Sequence, residues 1–225
     1  MKSMNIKINS DKTLKMVSCD KILGVQIDEN LTWAEHIKSV TLKMSRNIWL
    51  LSQISKYLSI DHRLIFYKSY IQPHIDYCNI VWSSCSQTCL AKIERLQKRA
   101  CKVIVNYEYD DIKQSMHDLH IFTIYERIFL RKAKFMYKVS TNACPAYINK
   151  LFHRRNIEDE TVPCLRSTTL NNYLLPQPKT EMYRKSLAFV GPTIWNCLPQ
   201  RIRISSSQEV FHKSCIQWMK NGSNN

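Results

Sequence analysis

From Trp33 to Leu51 apolar residues recur every three or four positions, through Ile37, Val40, Met44 and Ile48. That spacing predicts a helix with one buried stripe. Just before it, Ile22-Leu23-Gly24-Val25-Gln26-Ile27 reads as a buried strand in which Gly24 permits close backbone approach. Asp28-Glu29-Asn30 is a turn, and Thr32 with Glu35 matches a capping box opening the helix at Trp33. Residues 5–9 and 14–18 alternate around Ser10-Asp11-Lys12, the pattern of a hairpin that pairs with the strand.

A second helix is expected over residues 64–71, capped by Asp61 and ending before Pro73, because the residue before proline avoids helical backbone. Thr88 opens a third. It presents Leu90, Ile93, Leu96, Ala100 and Val103 on one side, and Lys92, Arg95, Lys98, Arg99 and Lys102 on the other. Thr123 and Glu126 form another capping box. The helix they open turns Phe129, Ala133 and Met136 inward, and sets Arg127, Arg131, Lys134 and Lys138 on one exposed ridge. Pro145 ends this helical half, and residues 154–182 are polar and punctuated by proline. Ser206 and Glu209 cap a last amphipathic helix bearing Phe211, Cys215 and Trp218 on one face.

The expected fold is mainly α with a small N-terminal β-hairpin and strand. Its divisions are a β segment at 1–31, a helical bundle at 32–150, a linker at 151–182 and a basic C-terminal unit at 183–225.

Charge changes the picture most. A net charge of +15 points to a polyanionic partner or an anionic surface. From Thr161 onward only Glu181 and Glu209 oppose eight Lys or Arg. Three glycines, with neither GxGxxG nor a P-loop, argue against any Gly-rich phosphate loop. Nine cysteines, an odd number, with a polar start and no long apolar run, predict free thiols in a reducing compartment, nuclear or cytoplasmic, with no membrane span.

The run KILGVQIDENLTWAEHI at 21–37 resembles the end of the polymerase region in reverse transcriptases of non-LTR, LINE-type (jockey-like) retrotransposons. The similarity continues through Tyr67-Lys68-Ser69-Tyr70-Ile71-Gln72-Pro73-His74-Ile75-Asp76-Tyr77, Val81-Trp82 and Leu96-Gln97-Lys98-Arg99-Ala100. It extends to Arg166-Ser167, Ser186, Gly191-Pro192, Trp195-Asn196-Cys197-Leu198-Pro199 and Phe211. The resemblance implies that 1–31 is the end of a palm and 32–150 a thumb-like bundle. In that family the thumb grips a template–primer duplex, and the catalytic carboxylates lie upstream of the Leu-Gly-Val strand. The chain is therefore expected to be a truncated, non-catalytic C-terminal piece of an RNA-directed DNA polymerase, inactive alone. Mg²⁺ would serve the parent enzyme, with no cofactor held here. The implied partner is RNA or RNA–DNA duplex bound without sequence preference, together with the missing N-terminal polymerase part. The other readings are a helical protein-interaction domain with solvated basic faces, or a relic reading frame.

Other constellations have plainer readings. Asp110-Asp111 follows Glu108-Tyr109, but the reverse-transcriptase Tyr-x-Asp-Asp pattern fails and the order along the chain is wrong. An acidic helix start before Ile112 is the preferred reading. His74-x₃-Cys78 and Cys85-x₃-Cys89 have the makings of a zinc set, against which stand thiols packed as small hydrophobes. Trp33, Trp49, Trp82, Trp195 and Trp218 are expected in cores rather than as base-stacking platforms, with Trp195 in a structural turn, Gly191-Pro192-x-x-Trp195-Asn196. The two basic ridges remain the best candidates for phosphate contact.

Overall fold

A computed structural model describes residues 19–107, 111–154 and 172–222. The described chain is mainly helical, with one two-stranded antiparallel sheet. Strands β1 (Cys19–Ile22) and β2 (Val25–Asp28) pair with Ile22 opposite Val25. Leu23 and Gly24 both have positive φ, 47° and 83°. Two such residues make the tight turn that suits the right-handed twist of a hairpin. Gly24 therefore turns the chain instead of sitting inside one continuous strand, which corrects the expected strand at 22–27. The hairpin expected at 5–18 lies outside the described residues.

Helix α1 (Ala34–Ile54) carries the expected stripe, with Ile37, Val40, Met44, Ile48 and Leu51 buried. Its start differs from the expected capping box. Asp28 Oδ2 accepts from the Thr32 N–H and hydroxyl, and Oδ1 from the Trp33 N–H, each at 2.8 Å. Trp33 takes left-handed backbone there, its ring buried and its indole N–H donating to Ser84 Oγ at 2.8 Å. With the Thr32 hydroxyl engaged by Asp28, Glu35 reaches Lys38 instead.

Helix α2 (Ile60–Phe66), capped by Ser59, does not stop before Pro73. It passes through a π-helical turn, Tyr67–Ile71, into α3 (Gln72–Asp76). The Gln72 N–H reaches the Tyr67 carbonyl, five residues back. That wider turn sets Pro73 in the first turn of α3, where no amide donor is needed. The expected halt gives way to a change of helical pitch.

Beyond α4 (Asn79–Trp82), helix α5 (Gln87–Ile104) is capped by Ser86, two residues before Thr88, with the Ser86 hydroxyl accepting from the Cys89 N–H. Helix α6 (Ile112–Asp118) is capped by the Asp111 carboxylate, which accepts from the Lys113 N–H at 2.8 Å. This is the helix-start role expected for that acid; Glu108, Tyr109 and Asp110 lie outside the described residues. Helix α7 (Ile124–Ser140) has the expected reciprocal capping box between Thr123 and Glu126. A short α8 (Ala146–Asn149) follows, then α9 (Glu181–Lys185), α10 (Leu187–Cys197), α11 (Gln200–Arg203) and α12 (Gln208–Gly222). Ser207, not Ser206, caps α12, its hydroxyl accepting from the Val210 N–H.

Two apolar cores form among the described residues. In the first, α1 packs on α5, with Met44, Ile48, Tyr67, Ile75, Trp82, Ile93, Ala100 and Ile104 buried and Ile124 closing one side. The second gathers Leu130, Ala133, Met136, Phe152, Tyr173, Trp195, Phe211 and Cys215. Helix α7 belongs to both: Ile124 and Ile128 to the first, Leu130 through Val139 to the second. Trp33, Trp82 and Trp195 are core residues as expected, and Trp218 stacks half-buried on Phe129 at 5.8 Å. Trp49 is the exception. It is 61% exposed, one residue and so about 100° round the helix from the buried Ile48.

Gly191 and Pro192, expected in a turn, lie inside α10. A Cβ on Gly191 would come within 2.7 Å of Met136 Sδ and 3.5 Å of Phe152, so α10 crosses α7 there at close range. Gly191→Val should accordingly destabilise the protein by about 1–3 kcal/mol through overpacking. Chemical denaturation measures this; an unchanged midpoint would mean the crossing is looser than described.

Candidate nucleic-acid interface

The basic face of α5 matches its periodicity. The stripe at Leu90, Ile93, Ala100 and Val103 is buried, while Lys92, Arg95, Arg99 and Lys102 are exposed and Lys98 half-exposed. Lys98 pairs with Glu94 one turn back at 2.8 Å, a surface contact of small energetic weight. Among the described residues, Lys92, Arg95, Arg99 and Lys102 have no acidic partner. They succeed one another at steps of three, four and three residues, over about 15 Å of helix. The face thus offers four cations in one row, and of these Arg95 also donates from Nε to the Ala91 carbonyl one turn back at 3.3 Å.

The row on α7 is different. Its members do not form a single exposed ridge, because α7 is enclosed by both cores. Arg127 is mostly buried, and its Nη1 donates to both oxygens of Asp76 at 2.8 and 2.9 Å. Arg131, half-exposed, approaches the same carboxylate at 3.7 Å. Lys134 is half-buried, and Lys138 is exposed. Arg127 is therefore a structural ion-pair partner first. Lys132, on the inner side of the same helix, is buried, and burial holds its pKa below the ordinary lysine value.

Asp76 and His212 were not singled out from the sequence. Together with Arg127, Arg131, Lys134 and Gln72 they line a cleft of about 310 Å³ between α3, α7 and α12. Burial, then the charges of Lys134 and Arg131, hold the His212 pKa below its ordinary value. No signal local to the chain links these residues, since 51 positions separate Asp76 from Arg127.

The zinc-like residues are placed in packing roles. His74 Nε2 lies 3.3 Å from Asn47 Nδ2. Cys78 occupies the corner between α3 and α4 with positive φ, and Cys85 and Cys89 are buried. Burial, and then neighbouring Cys89, push the Cys85 thiol up to about 12. Among the described residues no group of three or more His, Cys, Asp and Glu is arranged to hold a metal ion. No described helix is long and apolar enough to cross a membrane.

Comparison with known proteins finds similarity to the RNA-directed DNA polymerase from mobile element jockey of Drosophila funebris. The two are 33% identical over 88 residues, covering 37% of this chain and 10% of that polymerase. The chain thus spans about a tenth of the length of the relative it matches. No protein-family profile matches the chain, and no solved structure matches it. Over the aligned stretch, this chain is similar to a retrotransposon reverse transcriptase.

Proposed function

We propose that this chain is the non-catalytic, thumb-like C-terminal part of a retrotransposon reverse transcriptase, and that it holds RNA or RNA–DNA duplex without sequence preference. The observation that carries this reading is the row Lys92, Arg95, Arg99 and Lys102, exposed and without acidic partners among the described residues. The net charge of +15 and the jockey similarity support it. Cations on one helix face neutralise phosphates and release the counterions condensed there. Polymerase chemistry and its Mg²⁺ are assigned to the rest of such an enzyme, which is the expected protein partner.

Replacing these four residues with Gln should leave helicity intact, since Gln is nearly as good a helix former as Lys or Arg. Duplex affinity should fall, and the slope of log K against log salt should shrink by about two to four units. Different duplex sequences should lose affinity equally, because backbone contacts carry no base information. A folded variant with an unchanged salt slope would refute the assignment to α5.

One feature favours a second reading, a protein-docking face. Leu42, Trp49 and Leu50 are 54%, 61% and 44% exposed along the outer side of α1. Binding through that face should be nearly independent of salt and sensitive to Trp49→Ala.

A further inference from the structure

The cleft between α3, α7 and α12 has an imbalance of charge that the fold does not resolve internally. Three cations, Arg127, Arg131 and Lys134, face one carboxylate, Asp76. Asp76 is fully engaged: Oδ1 and Oδ2 accept from Arg127, and Oδ2 also accepts from Gln72 at 3.2 Å. Arg131 is left at 3.7 Å, and Lys134 has no acidic partner among the described residues. The Arg127 Nε is buried with no hydrogen-bond partner among them, a donor left unmet. His212, from α12, lines the same cleft.

We propose that this cleft is a phosphoryl-binding site, with Arg131, Lys134 and His212 as its ligands, and that His212 takes up a proton from solvent when a phosphate enters. The proposal rests on the nucleic-acid reading for its source of phosphate, a backbone phosphodiester; the site itself asks only for a phosphoryl oxygen. Guanidinium and ammonium groups at this spacing suit such an anion, and the half-buried walls strengthen charge-assisted hydrogen bonds.

The proton follows from the surroundings of His212. Facing it from α7 are Lys134, Arg131 and Arg127, and from α3 the neutralised Asp76. Its own helix carries Glu209 and Lys213 nearby, and α11, packed against α12, carries Arg201 and Arg203. Burial first, and then the cations that predominate here, hold the imidazole pKa below its ordinary value. A phosphate bridging Arg131 and Lys134 cancels their repulsion and adds a negative acceptor beside the ring. Both effects favour the imidazolium. The sign is then fixed. Affinity rises as pH falls from the phosphate-bound pKa toward the lower free-state pKa, and levels off below it. Within that window one coupled proton changes affinity by up to about tenfold per pH unit.

The test follows the His212 ring resonance by NMR across pH on the full chain, alone, with inorganic phosphate, and with a short RNA–DNA duplex. His212→Gln assigns the resonance, and in that variant the affinity should lose its pH dependence. The proposal expects both probes to raise the His212 pKa, and Lys134→Gln to reduce the rise. If His212 titrates identically with and without both probes, the proposal is overturned. Duplex binding with the α5 salt slope but an unmoved His212 overturns the cleft site and leaves the proposed function standing. A His212 shift with inorganic phosphate, in a protein that binds no duplex, supports the site and refutes the nucleic-acid reading.

Discussion

Trp195→Ala will lower the free energy of unfolding by about 3–5 kcal/mol, the cost of removing a fully buried large aromatic. Trp195 is 1% exposed and sits at the centre of the second core. Its ring stacks on Phe211 at 6.0 Å and meets the edge of Tyr173 at 6.0 Å, and Phe211 in turn packs on Tyr137 at 4.7 Å. The neighbouring Asn196 holds Tyr173 in place from both directions, its Oδ1 accepting from the Tyr173 N–H and its Nδ2 donating to the Tyr173 carbonyl. Truncation leaves a cavity bordered by rigid rings, which collapse poorly around it. Urea denaturation followed by circular dichroism reads the loss. Trp49→Ala is the internal control, expected within about 0.5 kcal/mol because that side chain is in solvent. Equal effects at the two positions would mean that the second core is not packed as described.

Arg127→Gln should cost about 2–3 kcal/mol. Losing one partner of a buried ion pair strands the other charge, and that penalty reaches about 3–5 kcal/mol when no solvent is near. Here the side chains of Arg127 and Asp76 keep 12% and 16% of their exposure, and Gln72 and Arg131 remain close to the carboxylate, so the cost is smaller. The double variant Arg127→Gln with Asp76→Asn should be less destabilised than the two single effects added together. That coupling is the signature of a direct pair. Arg99→Gln, on the open face of α5, should shift stability by no more than about 0.5 kcal/mol. Should Arg127→Gln be equally silent, Arg127 would belong with the phosphate-contacting cations and not with the fold.

The contrast between Arg99 and Arg127 marks where local sequence signals end. The α5 face was legible because its apolar stripe alone dictates which residues turn outward. The capping box at Thr123 and Glu126 and the cap at Asp111 were legible for the same reason: every partner lies within one helical turn. The row on α7 has the same periodicity as that on α5, but two cores close around it, and periodicity on one helix does not reveal how many neighbours that helix has. The Asp76 carboxylate arrives from a distant helix, as does His212, so the cleft has no local trace. Pro73 and Pro192 were misplaced for another reason. Proline disfavours a helix at a cost that packing repays, by a π turn at the first and by burial within α10 at the second. Gly24 signalled a special backbone correctly, but strand interior and tight turn use glycine alike.

The sharing of α7 between two cores has a consequence for the order in which the protein is made. Ile124 and Ile128 find their partners among residues already synthesised, since α1 and α5 precede them. Leu130, Ala133, Met136 and Tyr137 wait for Trp195, Phe211 and Cys215. On the ribosome, then, the same helix is half-finished for the time needed to add about 70–80 residues, several seconds at least at ordinary synthesis rates. During that interval it displays an apolar stripe beside a docked first half. A nascent chain paused there is the form of this protein most in need of a chaperone, and the one most prone to pair with a copy of itself.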